Sequence, residues 1–347
     1  MNQKQNDISW EDFLKIAGGH TAFQLLWGGI ELGLFDKLSV RTDQTLESIA
    51  KEMGIEIYPA RVLLIGLTSL GLIRLDNGLY RNSQLAEARL VRGKPGTVVP
   101  ILGWQAHIVY PGMIDFVASL KANKNVGLSR FKGNETNLYD RLAHDPHLQT
   151  IFQDSMSGLS KFANELLPKV LDFSRFKHVV DAGGGDGTNA LEIARAFPGV
   201  KTSVFDSSSV CELARQNIAK AKMASQVGTW EGDFFHKPFP PHTDCILFCH
   251  ILTIWSIGKI EILLKRAYEA LPVGGSVIIF NMMGGDDDQG PISTALGSPY
   301  FLAIATGEGM LHPWKDYESV LKKNGFKQIL RLKDGLPLDH GILVATK

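Results

Sequence analysis

Cysteine is scarce: the chain carries three, Cys211, Cys245 and Cys249, in 347 residues. So small and odd a number excludes a disulfide framework, and a C-x-x-x-C spacing on an apolar stretch suits zinc poorly. Neither sign of charge is in excess, since Lys+Arg and Asp+Glu both total 36. A chain that tracks nucleic-acid phosphates usually has a basic surplus, so no nucleic-acid partner is expected. No apolar run approaches the roughly 18 residues of a membrane span. The opening MNQKQNDISW also lacks the apolar core of a signal peptide. These absences predict a soluble, cytoplasmic protein with no membrane partner and no metal.

Hydrophobic residues make up 44% of the chain, ample for a buried core. Residues 1–100 read as a mostly helical domain, in which Phe23, Leu26, Trp27, Ile30 and Leu34 recur at helical spacing. Helices over Thr42–Gly54 and Tyr58–Gly71 should follow, then a hairpin, GLIRL and LYRNS, about an Asn77-Gly78 turn. Helix, helix, hairpin is the order of a winged helix. Its would-be recognition helix offers only Arg61 as a basic group. An apolar helix suits packing against a second subunit better than reading base edges, so a homodimer through these helices is expected. Residues 101–170 read as a helical linker and substrate-pocket region. It holds Trp104, His107, Tyr110, Phe152 and Met156.

From 171 to 347 the pattern becomes alternating strand and helix. FKQILRLK and HGILVATK come last, joined by a link too short for a crossover helix. The expected fold is α/β, a Rossmann-like parallel sheet closed by an antiparallel C-terminal hairpin. Its strongest local signal is VVDAGGGDGTNALEIA, residues 179–194, a strand running through a glycine loop into a helix. Gly183, Gly185 and Gly187 let the backbone turn sharply and approach a ligand. They fall as G-x-G-x-G, not the G-x-G-x-x-G of a dinucleotide site. Asp181 and Asp186 would repel a pyrophosphate but suit a sulfonium and its amino group, which points to S-adenosylmethionine. Asp206, with Ser207 beside it, closes the second strand, where a carboxylate accepts both hydroxyls of a ribose. Asp233 and Phe234 follow the third, where an acid takes an adenine amino group and an aromatic ring stacks on it.

The order VVDAGGGDG, SVFD, EGDFF, AYEALPVGGSVIIFN and YESVLKKNGF resembles the S-adenosylmethionine-dependent O-methyltransferases of the caffeic acid O-methyltransferase type. Many bacterial members of that family act on aromatic polyketides and other secondary metabolites. The resemblance implies a class I methyltransferase fold and a winged-helix dimerisation domain. It also implies that S-adenosylmethionine is converted to S-adenosylhomocysteine, with Met156 near the cofactor. It breaks at the acid–base positions. Thr253 stands where the family has its catalytic histidine, and Asn281 and Leu311 stand where it has glutamates.

Methyl transfer from an activated sulfonium still gains much of its rate from orientation. The reading is therefore O-methylation of an acidic hydroxyl on an aromatic secondary metabolite such as a hydroxyquinone or polyphenolic polyketide. Substitute bases are His250 and His107, with Thr253 and Asn281 counted among the catalytic residues at the family's acid–base positions; His312 and Glu308 are further candidates. Trp104, His107, Tyr110, Phe152, Trp255 and Glu308 should line the acceptor pocket. A carbon- or nitrogen-methyltransferase, a cofactor-assisted pericyclase, and a ligand-sensing regulator remain alternatives on the same scaffold. The acidic DDDQG run, 286–290, reads as a solvated turn.

Overall fold

A computed structural model describes residues 7–347, apart from the side chains of residues 157 and 159–162. The chain divides into two compact units, one ending at His107 and one running from Ile108 to Lys347.

The first unit packs helices Gly19–Glu31, Leu34–Val40, Leu46–Met53 and Ile57–Ser69 about Ile30, Leu34, Phe35, Leu64 and Leu67, all nearly inaccessible. Strands β1 (Ile73–Asp76) and β2 (Leu79–Asn82) form the expected hairpin, and Asn77 and Gly78 take positive φ at its tip. One boundary differs from expectation. The helix read from Thr42 starts at Leu46, because the Gln44 backbone is already bonded to Tyr80 in a β-bridge. Thr45 then caps the helix by accepting from the Ser48 amide at 3.3 Å. Helix Ile57–Ser69 buries Ala60, Leu64 and Leu67 but leaves Tyr58, Val62 and Ile65 exposed. Helix Trp10–Ala17 buries nothing.

The second unit is built on a seven-stranded sheet. Its strands are β3 (His178–Ala182), β4 (Lys201–Asp206), β5 (Val227–Glu231), β6 (Cys245–Cys249), β7 (Ser276–Met282), β8 (Gln328–Leu332) and β9 (His340–Thr346). They lie in the order β5-β4-β3-β6-β7-β9-β8. The first five are parallel, while β9 runs antiparallel to β7 and β8 antiparallel to β9, as the short link requires. The sequences CILFC and SVIIFN are apolar throughout because both sheet faces are covered, and these strands are buried. One face meets helices Ile257–Ala270 and Trp314–Lys323; the other meets Ala163, Leu167 and Phe173.

The chain moves outward from β3 to β5, then returns to β6 and moves the other way. The crevice at the C-terminal ends of β3 and β6 is thus the topological switch point, where open α/β sheets bind ligands.

Candidate functional site

At the end of β3 the loop Gly183–Gly187 turns into helix Thr188–Ala196. Gly183, Gly185 and Gly187 all hold positive φ, at 75°, 57° and 85°. The reasons differ. A Cβ on Gly183 would meet Ile251 Cγ1 at 2.6 Å, so this glycine lets the loop press against the segment after β6. A Cβ on Gly185 would meet nothing within 4 Å, so this stretch of backbone faces open space. The loop is tied to β4: the Gly185 amide donates to Oδ2 of Asp206 at 3.1 Å, and the Ser207 amide donates to Oδ1 at 2.8 Å. Burial raises the Asp206 pKa, and these two amides oppose the rise. The Gly232 amide donates to the Asp206 carbonyl at 2.8 Å, which brings the β5 loop alongside. There Asp233 accepts from the Phe235 amide at 2.8 Å and pairs with His236 Nδ1 at 2.6 Å. Phe234 stands edge-on to Phe205, and Phe235 edge-on to Trp255 at 5.1 Å.

Asp181 is 1% exposed, and neither of its oxygens has a hydrogen-bond partner among the described residues. Burial pushes its pKa up to about 7. The Asn189 amide, near but outside hydrogen-bond geometry, pulls the other way, and the charges of Asp206 and Asp186 push it further up. An orphaned buried carboxylate beneath a glycine loop that opens to space fits a cationic, amine-bearing ligand. Met156 is half-buried on helix Pro146–Asn164, which packs against helix Thr188–Ala196.

The acid–base candidates fare differently. His250 follows β6 directly and holds a left-handed backbone, φ 57°, which costs a residue with a Cβ roughly 1–2 kcal/mol. Its Nε2 lies 3.2 Å from Oδ1 of Asn164, an oxygen that also accepts from Cys249 Sγ at 3.7 Å. That contact puts the proton on Nε2 and leaves Nδ1 as the ring's acceptor. Burial, and then the neighbouring His340 ring 5.2 Å away, lower its pKa to about 3. His250 is therefore neutral in the fold and only weakly basic.

Thr253 is 4% exposed, and its hydroxyl donates to the His250 carbonyl at 3.1 Å. Asn281 is fully buried and donates to the Tyr317 hydroxyl at 3.2 Å, while its Oδ1 has no partner among the described residues. His312, another candidate base, is buried. Its Nε2 donates to the Trp255 carbonyl at 3.1 Å, and Asp316, 3.9 Å from Nδ1, is too far for a hydrogen bond. Leu311 is buried.

Among the pocket candidates, Glu308 is ion-paired with Lys259, whose ammonium lies 4.7 Å from the Trp255 ring centroid. Phe152 stands edge-on to Tyr139. Tyr110 opens a short helical turn, Tyr110–Gly112, in the second unit. Trp104 and His107 belong to the first unit, where the His107 ring is edge-on to Trp27 at 5.3 Å. The DDDQG turn is neutralised by cations: Asp286 pairs with Arg331 and Asp288 with Lys315, both at 2.5 Å.

Sequence reasoning missed Asn164 and His340, which flank His250 from 86 residues before it and from the start of β9. No local pattern marks them.

The O-methyltransferase domain model matches residues 113–327, and the O-methyltransferase dimerisation domain model matches residues 14–92. The L-tyrosine C(3)-methyltransferase of Streptomyces lavendulae is 34% identical over 98% of this chain and 93% of its own length. The 3-hydroxy-5-methyl-1-naphthoate 3-O-methyltransferase of Streptomyces sahachiroi is 28% identical over 96% of this chain and 94% of its own. The crystal structure of the S-adenosylmethionine-dependent methyltransferase SibL superposes with a TM-score of 0.87. It has 35% identity and covers 98% of this chain and 99% of that one.

Proposed function

The chain belongs to the S-adenosylmethionine-dependent O-methyltransferase family, and from that premise we propose that it methylates a ring carbon of a phenolic, amino-acid-like substrate. The observation that carries this reading is the chemistry at the end of β6 and β7. Thr253 and Asn281 there, and Leu311 just before helix Trp314–Lys323, are uncharged and buried, and His250 is held neutral with a weakly basic ring.

Oxygen and carbon acceptors ask different things of such a site. A phenol has an ordinary pKa near 10, and its oxygen must give up a proton to become a good nucleophile, which needs a competent base. A ring carbon ortho to the hydroxyl is already electron-rich. The proton it must lose departs after the new bond forms, from a cationic ring that is strongly acidic. A weak neutral acceptor such as Nδ1 of His250 suffices for that step. The L-tyrosine C(3)-methyltransferase, similar over 93% of its length, supports the same acceptor class.

S-Adenosylmethionine supplies a methyl group already activated on a sulfonium. Loop Gly183–Gly187 would hold its methionine part, with Asp181 beneath and Met156 at the flank. Asp206 and Ser207 would hold the ribose, and Asp233 and Phe234 the adenine. Tyr110, Phe152, Trp255 and Glu308 would border the acceptor. The N-terminal helices would pair two copies through the exposed Tyr58–Ile65 face.

A second reading, transfer to an acidic hydroxyl, is favoured by the naphthoate 3-O-methyltransferase relative. Incubation with ¹³C-methyl-labelled cofactor and either L-tyrosine or a hydroxynaphthoate separates the two. Carbon-13 NMR of the product distinguishes a methyl on an aromatic carbon from a methoxy group. A methoxy product alone would refute the carbon acceptor, and no transfer to any phenol would refute both.

A further inference from the structure

Asp181 stands at the end of β3 directly under the glycine loop: a Cβ on Gly184 would lie 2.6 Å from its Oδ2. Both oxygens are buried and unpartnered. The loop contributes Asp186 and β4 contributes Asp206, both acids. β6 contributes Cys249, a thiol that burial keeps protonated, and helix Thr188–Ala196 contributes only the Asn189 amide. Among the described residues no cation faces this carboxylate. A buried charge with two like neighbours and no counter-ion is costly, and taking up a proton is the ordinary escape. The same carboxylate becomes an asset once a cation lies beside it.

We propose that Asp181 senses the charge of the cofactor: protonated in the cofactor-free protein, it releases that proton to solvent as the cationic cofactor enters. It takes a proton back once the demethylated sulfur is neutral. The sulfonium is the one formal charge that separates S-adenosylmethionine from S-adenosylhomocysteine. The ammonium is common to both, so it is through the sulfonium that Asp181 favours the methyl donor over the spent product and assists exchange. With its pKa raised by burial to about 7, Asp181 holds the proton more fully at pH 6 than at pH 8. The inference rests on the cofactor and is independent of which acceptor atom receives the methyl.

The test is calorimetric titration of the full chain with S-adenosylmethionine, and separately with S-adenosylhomocysteine. Two buffers of different ionisation enthalpy are used, at pH 6 and pH 8. At pH 6 about one proton should leave per methyl donor bound, and fewer at pH 8 or with the product. Asp181→Asn, nearly isosteric, corrects for protons exchanged by the cofactor's own amino group. It should abolish the difference and reduce the preference for donor over product about tenfold or more. The cofactor-free variant should also unfold at higher temperature than wild type. An acid with a raised folded pKa stabilises while protonated and loses that stability as pH rises, so the margin should grow from about pH 4 to pH 7. Wild-type heats that do not depend on the buffer would overturn the proposal without recourse to any variant. So would a variant no more stable than wild type at pH 8.

Discussion

Gly183 and Gly185 share a left-handed backbone, φ 75° and 57°, and sit two residues apart in one loop, yet alanine at each should fail in a different way. The backbone strain is common to both, about 1–2 kcal/mol for any residue with a Cβ. At Gly183 the new methyl would lie 2.6 Å from Ile251 Cγ1 and 3.0 Å from its Cδ1, both on a partly buried side chain packed against the core. Such overpacking adds about 1–3 kcal/mol, so Gly183→Ala should lose about 2–5 kcal/mol of stability in all. At Gly185 nothing lies within 4 Å of the new methyl, and only the strain applies.

That open space is where the methionine part of the cofactor should lie. Gly185→Ala should therefore stay folded and lose affinity for S-adenosylmethionine at least tenfold, about 1.4 kcal/mol. Thermal unfolding with and without saturating cofactor reads both effects, since a ligand that binds only the native state raises its melting temperature. For a unit of this size each kcal/mol moves the midpoint by about 2–4 °C. Wild-type affinity in Gly185→Ala would show that the cofactor does not approach this loop. Equal stability loss in the two variants would show that Ile251 yields without cost.

His250, neutral in the fold with its pKa near 3, should make the protein acid-sensitive. Its unfolded imidazole takes a proton below about pH 6.5, so its contribution rises with pH between about 3 and 6.5. Asp181 has the opposite slope over much of that range, so the effect should emerge in chemical denaturation of Asp181→Asn against pH; a flat profile there would count against it. Asn164→Ala leaves the buried Nε2–H of His250 without its acceptor and should cost about 1–3 kcal/mol, measured by the same denaturation at neutral pH. Ile65→Asp places a charge on the exposed apolar face of helix Ile57–Ser69. Light scattering should find wild type as a dimer and this variant as a single chain; a monomeric wild type would refute the pairing face.

Much of the second unit was legible before its structure, because its signals are local. VVDAGGGDG announces a strand, a sharp turn and a helix within a few residues, and uninterrupted apolar strands such as SVIIFN belong to a sheet covered on both faces. The short link before HGILVATK required an antiparallel end to the sheet, which the β8–β9 pairing supplies. That Thr253, Asn281 and Leu311 are uncharged could likewise be read in the chain itself.

What the sequence by itself determined was the sheet, its glycine loop and the order of the acids at the strand ends, since these follow from residue types close together in the chain. The tertiary structure alone decided the state of each ionisable group. Asp181 reads as an ordinary acid until burial strips it of partners, and His250 reads as a serviceable base until Asn164, Phe280 and His340 close around it. Those neighbours arrive from distant segments. Protonation depends on solvent exclusion and nearby charge, and neither is set by the residue's own identity.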